Sequence, residues 1–208
     1  MLTTYVTHYK PLADRKANME RQFSEQNIKG IYITDYDKED LKEEDLKRFR
    51  RPYLSNGEIS LFLKHVESWK HIIASTNPYS IVFEDDAILA ADFYNKFKNY
   101  MLSAPTDFDI IFLGDGCQLH AQTNTLFTKT TVSRCTDSMV ISKKGAQKLY
   151  MFFNLRYIKY QNESILVEWA IDFWLNYVIR LIPLNVYWVE PTIVTQGSQN
   201  GRFCSSLR

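Results

Sequence analysis

Residues 79–89, Tyr-Ser-Ile-Val-Phe-Glu-Asp-Asp-Ala-Ile-Leu, constrain this chain more than any other stretch. Ile81, Val82 and Phe83 form an apolar run without alternation, which predicts a strand buried on both faces. The run stops at three consecutive carboxylates, Glu84, Asp85 and Asp86. In an extended chain Glu84 and Asp86 share one face and Asp85 takes the other. Two anions ~4 Å apart repel by about 4 kcal/mol at the effective dielectric near a protein surface. A buried strand that ends this way needs a compensating cation, and hard oxygen donors suit Mg²⁺ or Mn²⁺. The plainer alternative is a solvated strand end whose acids cap a helix following at Ala90.

Strand and helix signals alternate along the rest of the chain. Residues 3–6 read as a strand, and 14–23 as a helix with Met19 and Phe23 at helical spacing. Residues 28–34 read as a second strand, with Asp35 and Asp37 at its end. Residues 38–51 are charge-dense, acidic first and then basic at Lys47, Arg48, Arg50 and Arg51. A solvated segment is the plain reading there, and a basic end near a diphosphate the sharper one. Ser55-Asn56-Gly57-Glu58 is a capping box that opens an amphipathic helix. Phe62, His65, Trp69 and Ile72 fall on one stripe of it, which places His65 on an apolar face.

Residues 91–102 predict a helix, and 108–113 a buried strand ending in Gly114-Asp115-Gly116. Those glycines suit a backbone close to a ligand. Residues 138–142 form a strand and 144–149 open a helix. Residues 166–180 predict a helix carrying Glu168 and Asp172 one turn apart, hence on one face. A last strand covers 186–189, and the polar, glycine-containing residues 195–202 read as a mobile tail.

This alternation implies an α/β fold, with a mixed, mainly parallel sheet and helices on both faces. Ligands in such sheets bind beyond the carboxyl ends of the strands, where Asp35, Glu84, Asp85, Asp86 and Asp115 fall. Neither a dinucleotide fingerprint nor a P-loop is present. A length of 208 residues suits a single domain over 1–208. Lys+Arg of 25 against Asp+Glu of 24 argues against a protein built to grip nucleic acid. Cys117, Cys135 and Cys204 are scattered, which suggests neither a zinc site nor a disulfide framework and favours a reducing compartment. The first residues lack a signal peptide's basic and apolar regions, and no run reaches the ~20 apolar residues of a membrane span. The expectation is a cytoplasmic protein without a transmembrane segment, where the sequon Asn162-Glu163-Ser164 carries no weight.

Taken together in order, several residues resemble glycosyltransferase family 25, which includes lipooligosaccharide and collagen hydroxylysine galactosyltransferases. Gly57-Glu58-Ile59, His65 and Trp69 echo the family's Gly-Glu-Ile, Ser-His and Trp. Phe83-Glu84-Asp85-Asp86 matches its Leu-Glu-Asp-Asp strand end. Asp109 with Leu113, then Ile141-Ser142 with Gly145-Ala146 and Leu149, Ile171-Asp172, and Pro191 with Gln196 follow in register. Arg15 after the first strand resembles the family's opening. Leu61 stands where the family has Cys, Lys64 where it has Ser, and Met139 where a Tyr is usual.

The resemblance implies a GT-A-like nucleotide-sugar-binding fold, a UDP-galactose or UDP-glucose donor, Mn²⁺ or Mg²⁺, and inversion at the anomeric carbon. The acceptor it implies is a hydroxyl on a glycan or a hydroxylysine-containing, collagen-like protein. It assigns the metal to Asp86 with help from Asp85 or Glu84, and gives Asp85 a ribose alternative. Thr7, His8, Tyr9 and Asp35 fall near the nucleotide. An inverting transfer also needs a base within reach of the acceptor hydroxyl. Asp172 is the first choice, Glu168 the second and Asp137 the third, while Gln196 and the tail take the role of a lid. Two other readings compete. The departures at Leu61, Lys64 and Met139 suit a degenerate, transferase-like binding protein, and clustered acids also build the two-metal sites of phosphohydrolases and nucleases.

Overall fold

Side-chain alternation along the strands sorts the apolar residues into two layers. The computed structural model describes residues 3–155 and 166–207. Among them the strands are β1 (Thr4–Thr7), β2 (Gly30–Ile33), β3 (Tyr79–Glu84), β4 (Ala87–Leu89), β5 (Ile110–Phe112), β6 (Phe127–Thr130), β7 (Ser138–Ser142), β8 (Val186–Val189) and β9 (Val194–Gln196). The α-helices are α1 (Ala13–Glu25), α2 (Glu43–Leu46), α3 (Asn56–Ala74), α4 (Phe93–Leu102), α5 (Lys143–Leu155) and α6 (Ile171–Leu181). Seven strands make one sheet in the order β2-β1-β3-β7-β5-β8-β6, and β4 pairs with β9 beside it. Strands β2, β1, β3, β5 and β8 run one way and β7 and β6 the other, a mixed, mainly parallel sheet.

Val6, Ile81, Phe83, Ile111 and Val140 turn to the layer of α1 and α4, against Met19, Phe23, Phe93 and Phe97. Tyr5, Val82, Ile110, Met139 and Ile141 turn to the opposite layer, formed by α3, α5 and α6. Burying such side chains contributes roughly 1.5–3 kcal/mol each. Ile81, Val82 and Phe83 together therefore outweigh the repulsion at the strand's acidic end. Helix α3 begins as its capping box requires, with Glu58 N donating to Ser55 Oγ and Ser55 N donating to Glu58 Oε2. Its stripe is buried, with Phe62 and Trp69 both packed on Trp174 of α6.

Several expectations are corrected. The helix expected over 166–180 starts only at Ile171, because the Val167 backbone is committed to a bridge with residues 48–50. Glu168 therefore lies ahead of the helix and not on its face with Asp172. Residues 87–89 are a strand and not a run into a helix. Their backbone pairs with β9 and with the Gln22 side chain, and α4 waits until Phe93. Gly114 and Gly116 make room for the protein itself, since a Cβ would strike the Asp137 carboxylate at one and the Arg134 backbone at the other. Strands β6 and β9 were not expected at all. The sequon at 162–164 lies outside the described residues.

Candidate active site

Parallel pairing of β1 with β3 sets Thr7 opposite Glu84, so the residues after β1 run alongside the acids. Asp85 is fully engaged there. Its Oδ1 accepts from Arg15 Nη1 at 2.8 Å, and its Oδ2 accepts from His8 Nδ1 at 2.9 Å and from Tyr9 N at 3.2 Å. Burial pushes this carboxyl up, but the His8 and Arg15 hydrogen bonds outweigh that and hold it below the usual carboxylate range. Part of the compensating charge sought at the strand end is thus Arg15, from α1.

Asp86 is in the opposite condition. Its Oδ2 accepts a single bond, from Ser198 N at 3.2 Å, and its buried Oδ1 has no hydrogen-bond partner. Burial first, and the Glu84 charge second, push this carboxyl up to about 6. Glu84 accepts from Thr136 Oγ1, and His65 Nε2 lies 3.5 Å away. His65 itself is wholly buried on the apolar stripe. Asp137 is also fully buried; its Oδ2 accepts from Ser138 Oγ while its Oδ1 is unpartnered. Burial, then Glu84, raises it well above the carboxylate range. Asp172 sits in the first turn of α6, with Oδ1 accepting from Phe173 N. Burial raises it too, and the nearby charges of Glu84 and Glu58 add to the effect.

An open cleft lined by charged and polar side chains lies at this end of the sheet. Thr7, Tyr9, Lys38, Lys64, Glu84, Asp85 and Asp86 line it, and so do residues 205–207. The tail is therefore not loose. Gly197 N donates to the Asp86 carbonyl at 2.8 Å, Arg15 Nη2 donates to the Cys204 carbonyl, and Ser55 Oγ donates to the Leu207 carbonyl at 2.7 Å. The Arg15 guanidinium also lies over the Phe203 ring at 5.4 Å. These bonds hold residues 197–207 across the mouth of the cleft.

Of the residues predicted for the site, Thr7, Tyr9, Glu84, Asp85 and Asp86 share the cleft wall, and His8 braces Asp85. Asp35 turns its side chain outward and offers its carbonyl to Lys64. Asp172 lies off the wall but within reach of the acids' charge. Glu168 is paired with Arg50 at 2.7 Å, and Arg51 reaches Glu43, so the basic end of residues 38–51 serves other partners than a diphosphate. Only Lys38 of that stretch faces the cleft. The sequence reading did not single out the Lys64–Asp37 pair or the engagement of Asp85 by Arg15.

The acids fit a divalent ion on the strength of Asp86, whose buried Oδ1 lacks any donor. Among the described residues, no three His, Cys, Asp or Glu side chains are grouped to cage an ion unaided. Hard carboxylate oxygens are the donor type of Mg²⁺ and Mn²⁺, ions that also keep waters and take oxygens from a substrate phosphate.

This fold is that of a glycosyltransferase. A solved glycosyltransferase involved in the glycosylation of the major capsid of PBCV-1 aligns over 99% of this chain and 96% of its own, at a TM-score of 0.50 and 12% identity. The chain belongs to glycosyltransferase family 25 (LPS biosynthesis protein), whose sequence profile matches residues 1–163. The human procollagen galactosyltransferase 2 is 28% identical over 166 residues, 70% of this chain. Procollagen galactosyltransferase 1 of Danio rerio is 28% identical over 158 residues, 66% of this chain. The chain spans about a quarter (26%) of the length of these relatives. No helix among the described residues is long and apolar enough to cross a membrane.

Proposed function

We propose that this chain is a metal-dependent, inverting hexosyltransferase. It moves galactose or glucose from a UDP-sugar to a hydroxyl on a glycan or a hydroxylysine-bearing, collagen-like protein. The observation that carries the reading is Asp86, a buried carboxylate at the end of the central acidic strand with one oxygen left without a donor. Asp86, with Glu84 beside it, would hold Mn²⁺ or Mg²⁺, which would supply positive charge where the diphosphate leaves. Asp85, already bonded to Arg15, His8 and Tyr9, fixes the shape of that strand end and the approach of the ribose. Thr7, Tyr9 and Lys38 line the nucleotide side of the cleft.

Asp172 takes the proton of the acceptor hydroxyl. As that proton leaves, the hydroxyl oxygen bonds to the anomeric carbon from the face opposite UDP. The donor's C–O bond breaks, and its electron pair departs with UDP. An elevated carboxyl makes Asp172 a stronger base than an exposed aspartate, which suits the task. Residues 197–207 exclude water from the cleft, a lid role. The names of the relatives support galactose as donor sugar and a collagen-like acceptor.

The test is a donor screen that follows UDP release from UDP-galactose, UDP-glucose and other UDP-sugars, with Mn²⁺, with Mg²⁺ and with chelator. The expected result is release with one hexose donor, dependent on the ion. Sugar-nucleotide binding indifferent to metal, with no turnover, would overturn the reading.

A further inference from the structure

One buried cation on the cleft wall takes no part in the transfer chemistry just described. Lys64 lies in the middle of α3, with its side chain 2% exposed. Its ammonium donates to the Asp35 carbonyl at 2.6 Å and to Asp37 Oδ1 at 2.7 Å. Asp37 is 4% exposed, and its other oxygen lies 3.4 Å from Lys10 Nζ. Between the two acceptors, Tyr36 adopts a left-handed conformation with φ of 63°. A bulky L-residue holds that conformation only where its surroundings impose it. Burial pulls the Lys64 pKa down, and the Asp37 pairing opposes it. Such a buried charge is retained only when its partner is held close.

The geometry sets what this pair positions. Residues 35–38 follow β2, next to β1 in the sheet, and carry Lys38 to the cleft wall beside Thr7 and Tyr9. With a diphosphate at Asp86, a donor lying along that wall puts its nucleoside here.

We propose that Lys64 is a positioning residue for the nucleoside end of the donor. Through its ion pair with Asp37 it holds the 35–38 turn, and Lys38 with it, in the shape that receives a nucleoside diphosphate. The inference rests on the donor-site reading above.

The test compares wild type with Lys64→Met, Lys64→Arg and the charge-free double variant Lys64→Met/Asp37→Asn. Three quantities are read: amide hydrogen exchange at residues 35–38, UDP binding by calorimetry with Mn²⁺, and the KM and kcat of transfer. The expected result for Lys64→Met is faster exchange at the turn and UDP affinity weaker by about tenfold or more, from lost preorganisation, with kcat little changed. Lys64→Arg is expected to recover most of that affinity. The double variant keeps the comparison possible if Lys64→Met folds poorly, and it too should show the KM effect. Faster exchange with unchanged UDP affinity would overturn the role of Lys64 and leave the donor site standing. Wild type that binds no nucleoside diphosphate with Mn²⁺ would overturn both.

Discussion

The two sides of the cleft handle charge in opposite ways. On the β1–β2 side every buried ion is paired: Asp85 with Arg15 and His8, and Lys64 with Asp37. On the side of β7, α6 and the turn after β9, Asp86 and Asp137 each keep a buried oxygen without a donor, and Asp172 is raised by burial first, with its anionic neighbours adding to it. An unpaired buried carboxylate is expensive unless it protonates or gains a cation. The paired side is complete as it stands, whereas the acidic side keeps buried oxygens that the proposed ion would satisfy. Adjacent residues of one strand end, Asp85 and Asp86, thus belong to different machinery.

Substitutions on the two sides should therefore fail differently. Asp86→Ala is expected to lower transfer by about 10³-fold, as loss of an electrostatic stabiliser does, while its melting temperature holds or rises. UDP release and calorimetry check both halves. Asp85→Ala should do the reverse and damage the fold first, because it strands the buried Arg15 charge. A loss of about 3–5 kcal/mol by urea denaturation is expected. Equal stability losses at the two positions would erase the distinction between the sides. Asp172→Asn should lower kcat by about 10²-fold or more at unchanged UDP affinity, if it acts as the base.

Acidity gives a smaller effect with a definite sign. The folded Asp86 carboxyl sits at about 6 against an ordinary 3.8. Without an ion, its contribution favours the fold below pH ~4 and is lost as the pH rises through about 6. An ion takes the deprotonated form, so Mn²⁺ affinity should rise by about tenfold per pH unit up to roughly pH 6 and then level off. Asp86→Asn should flatten both profiles. The smallest effect expected is that of Gly57→Ala. Its added Cβ would stand 2.6 Å from the Leu207 carbonyl oxygen. A gain of up to about 1 kcal/mol in helix propensity offsets much of the clash, so stability should change little. Hydrogen exchange at residues 204–207 should nevertheless quicken, and KM should rise a fewfold.

What could be read from the sequence followed from how local each signal was. The buried strand at Ile81–Phe83 and the capped, striped helix α3 were legible because apolar spacing and a capping box are written within a few residues. The start of α6 was misjudged because a long apolar stretch looks helical, while the bridge to Phe49 that claims Val167 is remote. Strand β6, Phe-Thr-Lys-Thr at the sheet edge, has no buried face to imprint an alternation. The partners that decide the site are 70 residues apart for Arg15 with Asp85, and 27 for Lys64 with Asp37. No periodicity reports such pairs. The tail read as mobile because its bonds run through backbone groups, which composition does not reveal. The acids' place beyond a strand end was legible, but their division into a paired and an unpaired set was not.

The amide of Ser198 already occupies one oxygen of Asp86. A metal joining that carboxylate in the proposed site would find Oδ1 free and would take phosphate oxygens and waters for the rest of its shell. Under the proposed function such an ion would be a passenger of the nucleotide, boarding and leaving with it. Purified protein dialysed without manganese would then be expected to need the salt restored at each assay, with occupancy tracking nucleotide concentration.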